Sequence, residues 1–373
     1  MSRDRLRVVV AGMVAGQPGF GGASWTVLQY VLGLRRLGHD VVLLEPLPVA
    51  PDRRVLECFK SLVQRFDPTG RAGLLDQATG QVHGRGAAQA LAAARESDLL
   101  LNVAGMLTEP SLLESLPARA YLDLDPAFVQ LWHAQGIDMR FDGHTRFVTV
   151  GYGIGRDSPV PTCGRRWLHT LPPVVLAEWP RDRSRRRPAY TTVACWRGYG
   201  SVEHEGVLHG QKAHSLRPLM GLPDRAGTPF RLALSISPAE RTDLEALDAH
   251  GWELLDPVAQ AGTPDRYRSF VRRSWAEFGI AKSGYVLSRS GWFSDRSACY
   301  LASGRPVVAQ ATGFEQVLPT GEGLFAFHDE DDVLAATDQL RAAYPRHAAA
   351  ARALADEHLD SDRVLPRLLE RLA

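Results

Sequence analysis

The chain has 373 residues, 45% of them apolar and 23% charged, with a formal net charge of +1. That length exceeds the roughly 250–300 residues one core supports, so two domains are expected, and the balanced charge gives no bulk attraction to nucleic acid. No apolar run approaches the ~20 residues of a membrane span. The four cysteines (Cys58, Cys163, Cys195 and Cys299) are dispersed with no CxxC pair, so neither a disulfide framework nor a zinc site is expected. The opening MSRDRLRVVV enters a strand directly, which predicts a cytoplasmic chain without a signal peptide.

In chain order, residues 7–11 (RVVVA) read as a buried strand, Gly12–Gly22 as a flexible loop and Ser24–Leu37 as an amphipathic helix ended by Gly38. Asp40–Glu45 is the next strand, completing a βαβ unit of a doubly wound sheet. The loop glycines do not match G-x-G-x-x-G, which speaks against a dinucleotide site. Helix Ala87–Glu96 and strands Asp98–Val103 and Arg119–Leu124 follow, with Phe147–Val150 expected as the last strand of this half. Pro159–Pro188 is rich in Pro and Arg and reads as a connector. Its Arg183–Arg187 run lacks interleaved aromatics and reads as solvated linker. The alternation restarts at Tyr190–Cys195, then Phe230–Ile236, Trp252–Leu255, a helix near Pro264–Glu277 and a strand at Gly279–Ala281. The tail from Asp331 is helical.

The stretch Gly291–Pro319 (GWFSDRSACYLASGRPVVAQATGFEQVLP) carries the most chemistry. Ser294 and Asp295 suit a helix N-cap and first turn; Gly304 stops the helix, and Val307–Ala309 fit a buried parallel strand. A loop feeding a helix N-terminus offers unpaired N–H groups and a positive dipole end to a diphosphate. The arrangement resembles the donor half of glycosyltransferases of the GT-B class, in which two Rossmann-like domains face each other across a cleft. Within that class it is similar to the large GT4-like group, whose "ACGTPVV" corresponds to ASGRPVV here.

The resemblance implies a fold of two doubly wound α/β domains with an interdomain cleft. Residues 1–175 would form the acceptor domain, 176–188 a linker, 189–360 the nucleotide-sugar domain, and 361–373 a helix crossing back onto the first domain. It implies that Arg197 and Lys212 neutralise the departing diphosphate, although both also fit as ordinary cations near a strand end. Only three of the 43 basic residues are lysines, and Lys212 is one of them. A lysine kept in an Arg-rich chain favours a need for its compact charge. The group's Glu-x7-Glu pair falls on Gly291 and Cys299, so Asp295 and Arg296, with Ser294 and the amides from Phe293, are expected to replace it. Lys282, Tyr285, Gly313 and Phe314 are expected to line the same pocket, with Gly21 and Gly22 opposite, although Lys282 fits equally as a surface residue. In the first half, Asp125 stands at a strand's C-terminal edge, placed either to deprotonate an acceptor hydroxyl or to cap the helix after Pro126. His144 points toward the same edge, whereas His133 falls mid-helix as a structural residue. The expected reaction moves a hexose from a UDP-type donor to a hydroxyl of a small molecule such as a natural product, with no metal, no cofactor, no nucleic acid and no membrane span. A sugar-nucleotide epimerase and a non-catalytic binding subunit are the alternatives.

Overall fold

The computed structural model describes residues 5–372 except 68, 183 and 185, so part of the Arg183–Arg187 run lies outside it. The first sheet takes β1 (Arg7–Ala11), β2 (Asp40–Leu47), β3 (Ala72–Asp76), β4 (Val82–His83), β5 (Leu99–Val103), β6 (Ala118–Asp123), β7 (Arg146–Thr149) and β8 (Trp167–His169). Their order is β4-β3-β2-β1-β5-β6-β7-β8, parallel throughout except for β3–β4. Continuous apolar runs such as Val8–Ala11, fully buried, are what a parallel sheet covered on both faces requires.

The second sheet starts at β9 (Tyr190–Cys195). After the hairpin β10 (Val202–His204) and β11 (Val207–His209) come β12 (Phe230–Ser235), β13 (Glu253–Leu255), β14 (Ala276–Gly279), β15 (Val307–Gln310) and β16 (Leu324–Phe327). Its order, β13-β12-β9-β14-β15-β16, is entirely parallel. Strand order reverses between β1 and β5 in one sheet and between β9 and β14 in the other. Ligand crevices open at such switch points, beyond the C-terminal strand ends.

Two local expectations are corrected, and one hairpin comes without any expectation from the sequence. Phe147–Val150 is not the last strand of its half, because β8 adds at the sheet edge. The β3–β4 hairpin was hidden in a Gly-rich polar stretch. The strand expected at Gly279–Ala281 lies at Ala276–Gly279, because Glu277, a charged residue in a buried strand, has Arg296 as its partner.

A hydrophobic seam joins the two halves. The Trp25 ring lies 4.9 Å from Trp179 and 5.3 Å from Phe66, and its indole N–H donates to the Pro264 carbonyl at 2.8 Å. The long helix Glu330–Leu354 is kinked at Ala343, two residues before Pro345. The last helix, Ser361–Leu372, lies on helix Gly21–Arg36, so closely that a Cβ on Gly33 would fall 2.5 Å from Leu365. Among the described residues no helix is long and apolar enough to cross a membrane.

Candidate active site

A cavity of about 410 Å³ lies between the sheets. Two helix N-termini open onto it, one from each half. Helix Gly21–Arg36 can start there only because its first residues are glycines: a Cβ on Gly21 would stand 2.3 Å from the Thr263 carbonyl oxygen, and one on Gly22 2.9 Å from the Tyr267 ring. Opposite, helix Asp295–Ala302 is capped by Ser294, whose hydroxyl accepts from the Arg296 N–H at 3.2 Å. The loop before it is fixed by Gly291, at φ +72°, where a Cβ would lie 2.5 Å from the Gly153 nitrogen.

Gly21, Gly22, Asp125, Lys212, Lys282, Tyr285, Ser294, Asp295 and Arg296 all border this cavity. The positions that carry the Glu pair in GT4-like enzymes do not. Gly291 is pressed against the first domain's loop, and Cys299 is buried with its sulfur 3.7 Å from the Gln29 amide nitrogen. Asp295 borders the cavity, yet its carboxylate accepts the Thr26 hydroxyl across the seam.

The cavity wall is rich in positive charge. Arg296 pairs with buried Glu277 and donates to the Val193 carbonyl at 2.9 Å, while its Nη2 has no partner among the described residues. Lys212 is 9% exposed and has no acid partner among the described residues; its Nζ lies 6.0 Å from the centre of the Trp292 ring. Burial, reinforced by the Lys282 and Arg296 charges, pushes its pKa down to about 7.

Asp125 is tied across the cleft. Its Oδ1 accepts from Lys282 Nζ and from the Tyr199 hydroxyl, each at 2.6 Å, and from the Tyr285 hydroxyl. Burial alone would raise its pKa, but the Lys282 ammonium and the hydroxyl donors outweigh it and hold the group at about 2. A carboxylate held that low is a weak proton acceptor. Asp123 faces inward, accepting from Gln130 and Thr149, and burial pushes it up to about 7. The two carboxylates of Asp123-Leu-Asp125 therefore have separate partners.

Other expected residues lie elsewhere. His144 does not border the cavity: its ring is held by Asn102 and the Arg140 carbonyl, edge-on to Tyr121, and burial pushes its pKa down to about 4. Arg197 also lies outside the cavity lining, paired with Glu240 at 2.5 Å. Phe293 borders a small adjoining space shared with Thr26 and Trp292. Gly313, at φ +101°, supports Gly291 from behind, and the ring of buried Phe314 lies tilted against Phe293, 5.2 Å away. Thr26, Tyr199, Tyr267 and Trp292 belong to the site without having been singled out as ligands. Tyr199 sits in the Trp196–Gly200 segment beside Arg197, the one clue in the sequence.

No family model matches the chain, and no curated protein matches it. Solved structures do. An alpha-glucosyltransferase in complex with UDP-glucose and DNA containing an abasic site superposes at a TM-score of 0.65 with 13% identity, covering 99% of each chain. The alpha-glucosyltransferase with UDP and a 13-mer DNA gives 0.62 at 14% identity, again over 99% of both chains. The Anabaena protein Alr3699/HepE in complex with UDP and glucose gives 0.63 at 13% identity, over 98% of this chain and 99% of that one.

The fold is GT-B. Two of these neighbours are complexes with DNA, which overturns the expectation that nucleic acid has no part here. That expectation rested on the net charge of +1, a whole-chain sum that does not describe the charge lining a cleft.

Proposed function

We propose that this GT-B chain is a glycosyltransferase that moves a hexose from a nucleoside diphosphate sugar, UDP being the expected nucleotide, to an acceptor hydroxyl. The observation that carries the reading is Lys212: a cation buried in the cleft wall that, among the described residues, has no acid partner, beside an Arg296 Nη2 likewise without one and the N-terminus of helix Asp295–Ala302. Burying a charge is costly unless it is paired, so the wall fits an anionic ligand. In transfer from a diphosphate the leaving group gains negative charge, and fixed cations and helix N–H groups stabilise that change directly. We assign the leaving-group role to Lys212 and Arg296, with Ser294 and the first-turn amides. Arg197 would join them only by leaving Glu240.

Residues 189–360 are read as the donor domain and 1–175 as the acceptor domain, with 361–373 crossing back. The finer relationship to the GT4-like group rests on Lys212 and the ASGRPVV unit. The UDP and UDP-glucose complexes among the structural neighbours support the choice of nucleotide. Chemistry without a divalent ion is part of the proposal, because the cations named above already cover a diphosphate. A cytoplasmic location completes it.

Calorimetry with UDP, GDP, TDP and ADP, with and without EDTA, tests the donor site. UDP should bind with micromolar or better affinity regardless of EDTA; strict dependence on a divalent ion would reject the metal-free form. Turnover of UDP-glucose is then followed with hydroxylated small molecules and hydroxymethylated duplex DNA as acceptors. Binding without transfer or hydrolysis would leave the non-catalytic alternative, and a change of sugar configuration without transfer would identify an epimerase.

A further inference from the structure

A second cavity, of about 310 Å³, lies behind the cleft wall, between the β7–β8 edge of the first sheet and the last helix. Tyr152 and His169 form one side, their rings 5.5 Å apart, and Arg367 and Arg371 project from helix Ser361–Leu372 on the other. Arg371 donates to the His169 carbonyl at 2.6 Å, and Arg156 lies over the Tyr152 ring, 5.9 Å from its centre. Burial raises the Tyr152 hydroxyl's pKa, and the charges of Arg371, Arg156 and Arg367 offset that rise in part. Among the described residues none of the three has a carboxylate partner, whereas Arg217 has Asp243 and Arg268 has Glu178. Glu370 and His358 are the other titratable groups of the wall, and the nearest acid to His358 is Glu357, at 3.8 Å.

Arg156, Arg367 and Arg371 are solvent-exposed, so water screens their mutual repulsion; together they make the cavity's rim electropositive, and guanidinium forks match phosphate oxygens in pairs. The volume is that of a small-ligand site. We propose that this cavity binds a phosphate group, as a phosphomonoester or a diphosphate, held by Arg367 and Arg371, which line it, with the Tyr152 hydroxyl as a further donor and Arg156, over the Tyr152 ring, adding its charge from outside the lining. It is separate from the donor cleft, and the inference does not depend on the function assigned there.

The test is calorimetry of the full chain with inorganic phosphate and pyrophosphate in the presence of saturating UDP. One saturable site should remain under UDP. Arg156→Ala with Arg367→Ala should weaken it at least about tenfold, the loss of one or more charge-assisted hydrogen bonds, while UDP affinity is unchanged. Among the described residues neither side chain makes a hydrogen bond, so the variant tests binding rather than folding, and Arg367→Lys should recover part of the affinity. If UDP itself fails to bind, the comparison is run without it: pyrophosphate should be lost in the double variant and kept in Lys212→Met. Absence of a saturable site, displacement by UDP, or full affinity in the double variant would each overturn the proposal.

Discussion

Lys212 concentrates the argument at the scale of single residues. With its pKa lowered to about 7 in the folded chain and ordinary in the unfolded one, it binds fewer protons folded than unfolded at alkaline pH. Its contribution to stability is therefore fully present above the unfolded value and lost as pH falls through about 7. Between pH 7 and 8.5 the melting temperature of the free protein should rise, and Lys212→Met should flatten that rise. Ligand binding should run the other way. An anion binds the protonated form, so UDP affinity should weaken as pH rises above 7, by up to tenfold per pH unit, and calorimetry in buffers of different ionisation enthalpy should detect proton uptake. Turnover by Lys212→Met should fall about 10²-fold or more, roughly 2.7 kcal/mol of transition-state stabilisation. Lys60→Met, on an exposed helix face, is the control and should change neither property. Lys212 is legible in the sequence because lysines are scarce there. Tyr199, Trp292 and Thr26 are not, because each acquires its role only from a partner brought in by the other domain or by a distant segment.

Elements with a clear period and a clear stop are legible as well: the RVVVA strand, the helix ended by Gly38, and the Ser294-capped helix followed by β15. β3 and β4 are hard to read because they are short and sit among glycines, and β14 because its buried Glu277 breaks the apolar pattern that marks a parallel strand. The two helix N-termini at the cleft make separable predictions. Gly21→Ala places a methyl group against the Thr263 and Ala261 carbonyls, so the seam must open or the helix must shift. An overpacking cost of about 1–3 kcal/mol is expected in urea unfolding, together with weaker UDP binding. At the other helix, Asp295→Asn keeps size and hydrogen-bonding capacity but removes the charge that accepts from Thr26. If Asp295 serves the donor sugar, transfer should fall steeply while melting temperature and affinity for free UDP hold. If it serves the helix and the seam, melting temperature should drop modestly, in line with about 0.3–1 kcal/mol for an acid in a first turn, and turnover should persist. Thr26→Val separates these further, since it removes the seam contact and leaves the carboxylate available to a sugar.

Across the whole molecule, the seam is built from apolar contacts around Trp25, which packs on Phe66 and Trp179 and donates to the Pro264 carbonyl, and from polar ties that cross the cleft. Ser158 donates to the Ser288 carbonyl at 2.6 Å, and the Gly153 N–H to the Ser290 carbonyl at 2.9 Å. Among the described residues, the Asp125–Lys282 pair with Tyr199 and Tyr285 is the ion pair that crosses the cleft at the cavity itself. Because Asp125 is held at about 2, its contribution is present above the ordinary carboxylate range and lost only as pH falls through about 2, so the tie stays intact at neutral pH. Its strength lies between that of exposed pairs, about 0–1 kcal/mol, and that of buried pairs broken on one side, about 3–5, since Lys282 is 12% exposed and Asp125 39%. A double-mutant cycle with Asp125→Asn and Lys282→Met should therefore give a coupling of about 1–3 kcal/mol in denaturant unfolding. Lys282→Met alone leaves a half-buried carboxylate without its cation, which favours separation of the domains. Small-angle scattering should register a larger radius of gyration for that variant, and the double variant should return part of the way. Added UDP should reclose Lys282→Met if the nucleotide bridges both halves of the cavity, because a ligand can shift the open–closed balance only through contacts that differ between the two states. A coupling near zero, with scattering unchanged in every variant, would leave the apolar seam as the element that holds the halves together and the charged tie as part of the cavity lining alone.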